Sequence, residues 1–196
     1  MDQISEEYLS KQRALELWDS GYINKIEAGT TKGLKEIHRY LFSGLEGYNA
    51  GEIREVNISK DDFLFAPALY LQETLETVEK LPENTFTEII TKYAEMNVAH
   101  PFLEGNGRAT RIWLDQILRK QLKLCIDWQQ ISKYDYLNYM KHSKNNTKNI
   151  EQLLKQALTD QSYDRVLYMK GIDKSFEYED LSAYQTVRID AELNNK

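Results

Sequence analysis

A chain of 196 residues is long enough for one domain with a single sizeable core. An apolar fraction of 41% with 29% charged residues is that of an ordinary globular protein, and a net charge of −6 excludes a general nucleic-acid binder, which keeps a basic face. No apolar run approaches the ~20 residues of a membrane-spanning helix, and the acidic start "MDQISEEYLSKQ" lacks the pattern of a secretory signal.

In chain order, the elements are almost all helices. "SEEYLSKQRALELWDSG" opens at Ser5 as N-cap, carries Leu9, Leu15 and Trp18, and stops at Gly21. "TTKGLKEIHRYLFSGL" starts at a Thr cap and sets Leu34, Ile37, His38 and Leu41 on one face. His38, inside that apolar face, reads as a hydrogen-bonded core histidine. "GEIREVNISKDDFLFAP" breaks the helical pattern: its short β-compatible pieces flank "KDD", which predicts a small hairpin. "APALYLQETLETVEKL" follows Pro67, a residue suited to a first helical turn.

"TFTEIITKYAEMNVAH" is amphipathic and must end before Pro101, whose ring disfavours helix in the residue preceding it. "NGRATRIWLDQILRKQLKL" is the next helix, with Ile112, Leu114, Ile117 and Leu118 as its apolar set. "SKYDYLNYMKHS" and "KNIEQLLKQALTD" predict two more, and His142 at the end of the first reads as solvated. The lone Cys125, in apolar "LKLCIDW", excludes an internal disulfide, reads as a packed thiol and is compatible with a reducing cytoplasm. No repeat or linker rich in Gly, Pro or Ser divides the chain, and from about Ala183 the polar end reads as loose. The fold class is therefore all-α with one small hairpin.

The chemistry concentrates in "HPFLEGNGRATRIWLD". Gly105 and Gly107 flank Asn106 just before a helix, where a sharp turn and free N–H groups make a cradle for an anion. Alone, such a stretch is equally a plain turn. Arg108 and Arg111 share a face of the first helical turn, where the dipole disfavours cations by ~0.3–1 kcal/mol each. Two arginines placed there call for an anion that outweighs the dipole, and a polyphosphate suits their forks. The plainer alternatives are two solvated arginines, or arginines paired with a carboxylate elsewhere. Glu104 makes sense beside phosphates if it carries Mg²⁺, and His100 is then placed to act as general base on an incoming hydroxyl.

At these residues the chain resembles the Fic family of nucleotidyl transferases, whose motif His-Pro-Phe-x-(Asp/Glu)-Gly-Asn-Gly-Arg-x-x-Arg is met at every defined position from His100 to Arg111. The resemblance extends to "FSGLEGYNAGEIREVNISK", similar to the family's approach to its hairpin flap, and implies a Fic fold over residues 1–196: a helical-bundle core with a small β-hairpin flap. It implies protein AMP transfer from ATP with Mg²⁺. By that likeness His100 deprotonates a Ser, Thr or Tyr hydroxyl of a target protein, Glu104 holds the metal, Asn106 with the backbone of Gly105 and Gly107 steadies the α-phosphate, and Arg108 and Arg111 bind the outer phosphates. Lys60, Asn97 and Leu137 are implied to line the nucleotide site. Gly107, where family kinases resembling the Doc toxin carry Lys, favours AMP transfer.

A second resemblance lies in "KGIDKSFEYEDLSAY". Small members of the family carry a C-terminal inhibitory helix with the pattern (Ser/Thr)-x-x-x-Glu-(Gly/Asn), and Ser175 and Glu179 have that spacing. The helix is expected over about 173–185, with Glu179 against Arg111. Asp180 departs from the pattern. A Ser N-cap followed by acids is the plainer reading of the same residues. Tyr178 and Tyr184 are candidate self-modification sites. The class resembles restrained bacterial toxins that modify type II topoisomerases (GyrB or ParE), with self-association as a further expectation. The same residues also permit removal of AMP from proteins, or nucleotide binding without turnover.

Overall fold

The computed structural model describes residues 5–60 and 63–195. The first helix, α1 (Glu6–Asp19), begins where the Ser5 hydroxyl accepts the Tyr8 N–H at 3.3 Å, and Glu6 and Glu7 complement the dipole of its first turn. It ends before Gly21, which is left-handed at φ 67°. Thr30 caps α2 (Thr31–Phe42) through the Gly33 N–H. The flap is one short antiparallel pair, β1 (Ser59–Lys60) with β2 (Phe63–Leu64), in register Ser59↔Leu64 and Lys60↔Phe63. Of its expected "KDD" turn, residues 61 and 62 lie outside the described residues.

After Pro67 a single 3₁₀ turn (Ala68–Tyr70) leads into α3 (Leu71–Glu79). A reciprocal capping box between Thr85 and Glu88 starts α4 (Phe86–Ala99), which stops at His100, directly before Pro101. The long helix α5 (Asn106–Leu122) runs through the core and packs against α2, α4 and α8 (Arg165–Glu177). Its Trp113, Leu114, Ile117 and Leu118 are fully buried, each worth roughly 1.5–3 kcal/mol on leaving water. The Trp113 indole N–H is satisfied by the Thr30 carbonyl at 3.0 Å, so the same residue that begins α2 also receives the core of α5.

A second two-residue ladder, β3 (Cys125–Ile126) against β4 (Leu158–Thr159), brackets α6 (Lys133–His142) and α7 (Lys148–Gln156). Asp115 of α5 fixes it by accepting the Ile126 N–H at 3.0 Å and the Trp128 indole N–H at 2.9 Å. Cys125 is buried there, and burial pushes its thiol up to about 12, that of a packed residue. His142 is exposed.

Two expectations at the C-terminus need correction. The helix expected over about 173–185 is α8, capped by the Asp164 carboxylate on the Leu167 N–H and finished by Glu177, so Ser175 lies in its last turn and Glu179 just beyond it. The polar end is not loose: α9 (Thr186–Asn194) places Ile189 against Leu15 and Met169. Its first turn is held by Asp173, which accepts the Thr186 hydroxyl at 2.7 Å. Among the described residues no helix is long and apolar enough to cross a membrane.

One buried charge joins the two ends of the chain. Lys11 is fully buried and its ammonium donates to Glu7 at 2.9 Å and to the Tyr184 carbonyl at 2.5 Å, with Asp173 at 3.2 Å. Glu7 in turn accepts the N–H groups of Ala183 and Tyr184. Removing the cation strands two acids, and breaking a buried pair from one side costs about 3–5 kcal/mol. Lys11→Met is therefore expected to lower unfolding stability by about that amount in urea titrations, whereas a change under about 1 kcal/mol, the value of an exposed pair, would contradict the network's role.

Candidate active site

His100 caps α4 in the left-handed region, at φ 48° and ψ 65°, a conformation an L-residue holds only when its surroundings insist. Its Nδ1 lies 3.3 Å from the Asn97 carbonyl. With the proton assigned to that nitrogen, the Nε2 lone pair is left to accept. The ring lies flat on Phe65, the residue that follows β2, at 3.7 Å between centroids. Burial, opposed by the Asn97 hydrogen bond and aided by the nearby Arg54 charge, takes its pKa down to about 4. His100 is thus a neutral imidazole at ordinary pH, the form a general base requires.

Arg54 holds the same turn, and the sequence reading had no signal for it. It is buried, its Nε donates to the His100 carbonyl at 2.7 Å, and its own N–H donates to the Pro101 carbonyl at 2.9 Å. His38 holds the next part of the loop. Its Nδ1 accepts the Gly51 N–H and its Nε2 donates to the Glu104 carbonyl, both at 2.8 Å, while the ring stacks on Phe102. Burial takes His38 down to about 4 as well, in keeping with its reading as a hydrogen-bonded core histidine.

The turn before α5 uses its residues in two ways. Gly105 is left-handed at φ 74°, and a Cβ there would stand 2.6 Å from the Phe42 ring. The Asn106 side chain departs from its expected place at a phosphate: it accepts the Phe102 N–H and donates to the Phe102 carbonyl, both at 2.8 Å. Both its polar atoms are used inside the loop, so it shapes the cradle rather than reaching out from it. The first α5 bond runs from the Ala109 N–H to the Gly105 carbonyl, which leaves the N–H groups of Asn106, Gly107 and Arg108 as the free donors of a helix N-terminus. Glu104 stands beside them with 60% of its side chain exposed, one oxygen accepting the Gly105 N–H and lying 3.6 Å from Arg108.

Neither arginine is solvated; Arg108 and Arg111 are 2% and 3% exposed. Both are held by one carboxylate. Glu179 places one oxygen 2.9 Å from Arg111 Nη2 and the other 2.6 Å from Arg108 Nε. The second contact is an ion pair without an aligned hydrogen bond. Arg111 also donates from Nε to the Ser175 hydroxyl and from Nη2 to the Ser175 carbonyl, both at 2.7 Å. Arg108 donates to Glu6 at 3.1 Å and to the Tyr48 hydroxyl at 2.8 Å, and that hydroxyl donates to Glu6. The expected Glu179–Arg111 pair is present, and Arg108, Glu6 and Tyr48 join it. Gly107 makes room for the carboxylate, since a Cβ there would lie 2.6 Å from Glu179 Oε1. Asp180, the departure from the family pattern, is left-handed at φ 62°, and the Leu181 N–H closes the turn on the Phe176 carbonyl. Gly and Asn are the usual residues for that conformation; Asp, with a short polar side chain, is the next that tolerates it.

The weaker assignments are scattered around this centre. Lys60 is exposed on β1, near enough to act on the His100 charge. Asn97 donates its side-chain amide to the Tyr93 carbonyl in its own helix. Leu137 is 37% exposed on α6, beside Tyr136, whose hydroxyl faces Arg111 at 3.4 Å. Tyr178 is 1% exposed with its hydroxyl on the Ile131 carbonyl at 3.0 Å, so this fold withholds it from modification. Tyr184 is 36% exposed. Among the described residues no three His, Cys, Asp or Glu side chains cluster as a metal site, so a cation beside Glu104 would draw its remaining oxygens from a ligand or water.

Residues 29–118 match the Fic/DOC family model. Over 133 residues the chain is 29% identical to the protein adenylyltransferase VbhT of Bartonella schoenbuchensis, covering 58% of this chain and 27% of that protein. Over 111 residues it is 32% identical to the probable protein adenylyltransferase Fic of Escherichia coli, covering 51% of this chain and 54% of that protein. The chain thus spans about a quarter to about half the length of the curated relatives it matches. Among solved structures, BepC of Bartonella tribocorum with bound AMPPNP aligns at a TM-score of 0.60 and 17% identity over 81% of this chain and 89% of that one. The N-terminal Fic domain of a putative cell filamentation protein of Bartonella quintana with bound ADP aligns at 0.58 and 20%, over 77% and 81%. At such identities these two speak for the fold.

The two depressed histidines set a pH dependence. An unfolded imidazole titrates near 6.5, so between that pH and about 4 the unfolded chain binds more protons than the folded one. Stability is therefore fully present above about pH 6.5 and is lost as pH falls toward about 4. Urea unfolding at pH 7, 6 and 5 is expected to show a steady decline, less steep in His38→Asn; a flat profile would contradict the buried neutral state of both rings.

Proposed function

We propose, from the match of residues 29–118 to the Fic/DOC family model, a protein adenylyltransferase that moves AMP from ATP to a Ser, Thr or Tyr hydroxyl of a target protein and is restrained by Glu179. What supports this reading is a neutral His100 at the turn that leads into the free N–H groups of α5, with two buried arginines three residues apart on that helix held by one carboxylate.

His100 Nε2 takes the proton of the acceptor hydroxyl as its oxygen attacks the α-phosphorus. The bond to the pyrophosphate oxygen breaks, giving an AMP ester and pyrophosphate. The N–H groups of Asn106, Gly107 and Arg108 face the charge that grows on the α-phosphate, which is stabilisation arranged before the reaction begins. Asn106 and His38 contribute indirectly by fixing the loop. Arg108 and Arg111 take the outer phosphates as forks. Glu104, exposed and with an oxygen to spare, is the residue to hold Mg²⁺, which supplies charge neutralisation at the phosphates.

Glu179 enters as a competitor. Its two oxygens occupy both arginines that the outer phosphates would use, and the carboxylate sits against Gly107 at the mouth of the cradle. Ser175 has a different part: it holds Arg111 by its hydroxyl and carbonyl, contacts that do not involve the Glu179 carboxylate. The target is a protein, and the GyrB or ParE subunit of a type II topoisomerase is the first acceptor to try.

Glu179→Gly is expected to raise transfer of label from α-labelled ATP, in the presence of Mg²⁺, by about tenfold or more, which corresponds to ~1.4 kcal/mol or more. Adding His100→Ala should abolish it. A Glu179→Gly protein that labels neither a bacterial lysate, nor GyrB or ParE, nor itself would overturn the assignment. Loss of AMP release from a modified protein in that same variant would assign the site to removal instead.

A further inference from the structure

We infer that Arg54 is a positioning residue for the reaction: it fixes the His100 turn and ties that turn to both legs of the flap. The inference rests on the AMP-transfer reading above for its kinetic consequence, though not for its geometry.

A buried guanidinium ordinarily requires a carboxylate partner, because its desolvation is otherwise uncompensated. Arg54 is 4% exposed, and among the described residues its guanidinium hydrogen-bonds only to main-chain carbonyls. The three that matter for the base are consecutive. Its Nη2 donates to Ala99 at 3.1 Å, its Nε to His100 at 2.7 Å and its main-chain N–H to Pro101 at 2.9 Å. One residue therefore satisfies every carbonyl of the segment in which the helix ends and the base turns outward. The left-handed conformation of His100 is one an L-residue holds only when its surroundings support it, and these bonds do so.

The rest of the fork reaches the flap. Nη1 donates to the Val56 carbonyl on the way into β1, and Nη2 to the Ala66 carbonyl on the way out of β2, both at 2.6 Å. Ala66 is also bonded through its N–H to the Val98 carbonyl of α4 at 3.0 Å. Between β2 and Ala66 stands Phe65, the ring on which the His100 imidazole lies. The position of the base, the face that supports it and the hairpin beside it are thus referred to a single planar group. A lysine in its place offers one nitrogen and cannot reproduce a fork that meets four carbonyls.

The test uses the full chain on the Glu179→Gly background, with Arg54→Lys and Arg54→Met. Arg54 makes no contact with the arginines or with the α5 cradle, so the expected result is a fall in kcat with KM for ATP held within about twofold. The fall should be about tenfold for lysine and about a hundredfold for methionine, the scale set by misplacing a reacting group by about 1 Å. In parallel, ring-nitrogen NMR at pH 7, assigned against His100→Ala, should show one tautomer of His100 in the Arg54 form and a mixture in the variants. Unchanged kcat, or a KM for ATP that rises in step with the loss, would overturn the inference, as would identical His100 ring signals. If Arg54→Met does not fold, the lysine variant decides. Should the Glu179→Gly parent transfer no AMP at all, the transfer reading fails while the tautomer comparison still judges Arg54.

Discussion

Arg108 and Arg111 impose the constraint to which the rest of the structure answers. Arg108 is buried in the first turn of α5 and Arg111 one turn on, near the end of the helix whose dipole opposes cations and where desolvation adds a larger cost. Such a pair cannot be left without counter-charge. Glu179 supplies it from just beyond α8, Glu6 from α1, and the Tyr48 hydroxyl and Ser175 supply further acceptors. The rings of Phe42, Tyr48 and Phe176 surround Arg108, and those of Tyr136 and Tyr178 surround Arg111, so the cations also meet aromatic faces. The packing of α8 against α5, and the reach of Glu6 from α1 to Arg108, answer this need alongside apolar burial.

That arrangement explains why the chain's two ends meet. Glu179 is useful only if α8 ends at the right place, and α8 is located by Asp173 and Lys11, by Glu7 on the Ala183 and Tyr184 N–H groups, and by α9 through Thr186. The ending itself is set by Asp180, whose left-handed backbone turns the chain away after a single residue beyond Glu179. A family pattern that asks for Gly or Asn at this position is asking for a backbone conformation, and Asp180 meets the same demand.

The sequence disclosed what is local. Ser5 and Thr30 announced two helix starts, Pro101 announced the end of α4, and the unbroken run from His100 to Arg111 placed a base, an acid, a turn and two cations together. The spacing of Ser175 and Glu179 foretold a partner for Arg111. What stayed hidden depends on contacts far apart in the chain. Arg54 lies about 45 residues before the turn it holds, and nothing in "EIREV" distinguishes it from a surface arginine. Glu6 looked like a first-turn acid and is one, but it also serves Arg108 across 102 positions. Two-residue strands such as β3 and β4 carry no periodic signal at all. Asn106 is ambiguous for another reason: its residue type fits both a ligand contact and a loop staple, and the structure shows its side chain on the Phe102 backbone.

The two halves of the Ser175–Glu179 pattern are best understood as separable. Ser175 contacts Arg111 through two bonds that are independent of the carboxylate, whereas on the proposed function Glu179 occupies the faces an incoming phosphate would need. On the proposed function, apparent ATP affinity is then the intrinsic affinity reduced by the fraction of molecules in which Glu179 is withdrawn. Withdrawal need not melt α8, because Glu179 lies beyond Glu177 and its side chain is the only part that must move. Movement of α8 as a whole would strand Lys11, Glu7 and Asp173, a far larger cost than rotating one carboxylate. The fold therefore favours a restraint set by a side chain over one set by an unfolding segment, with Arg111 kept ready by Ser175 in both states.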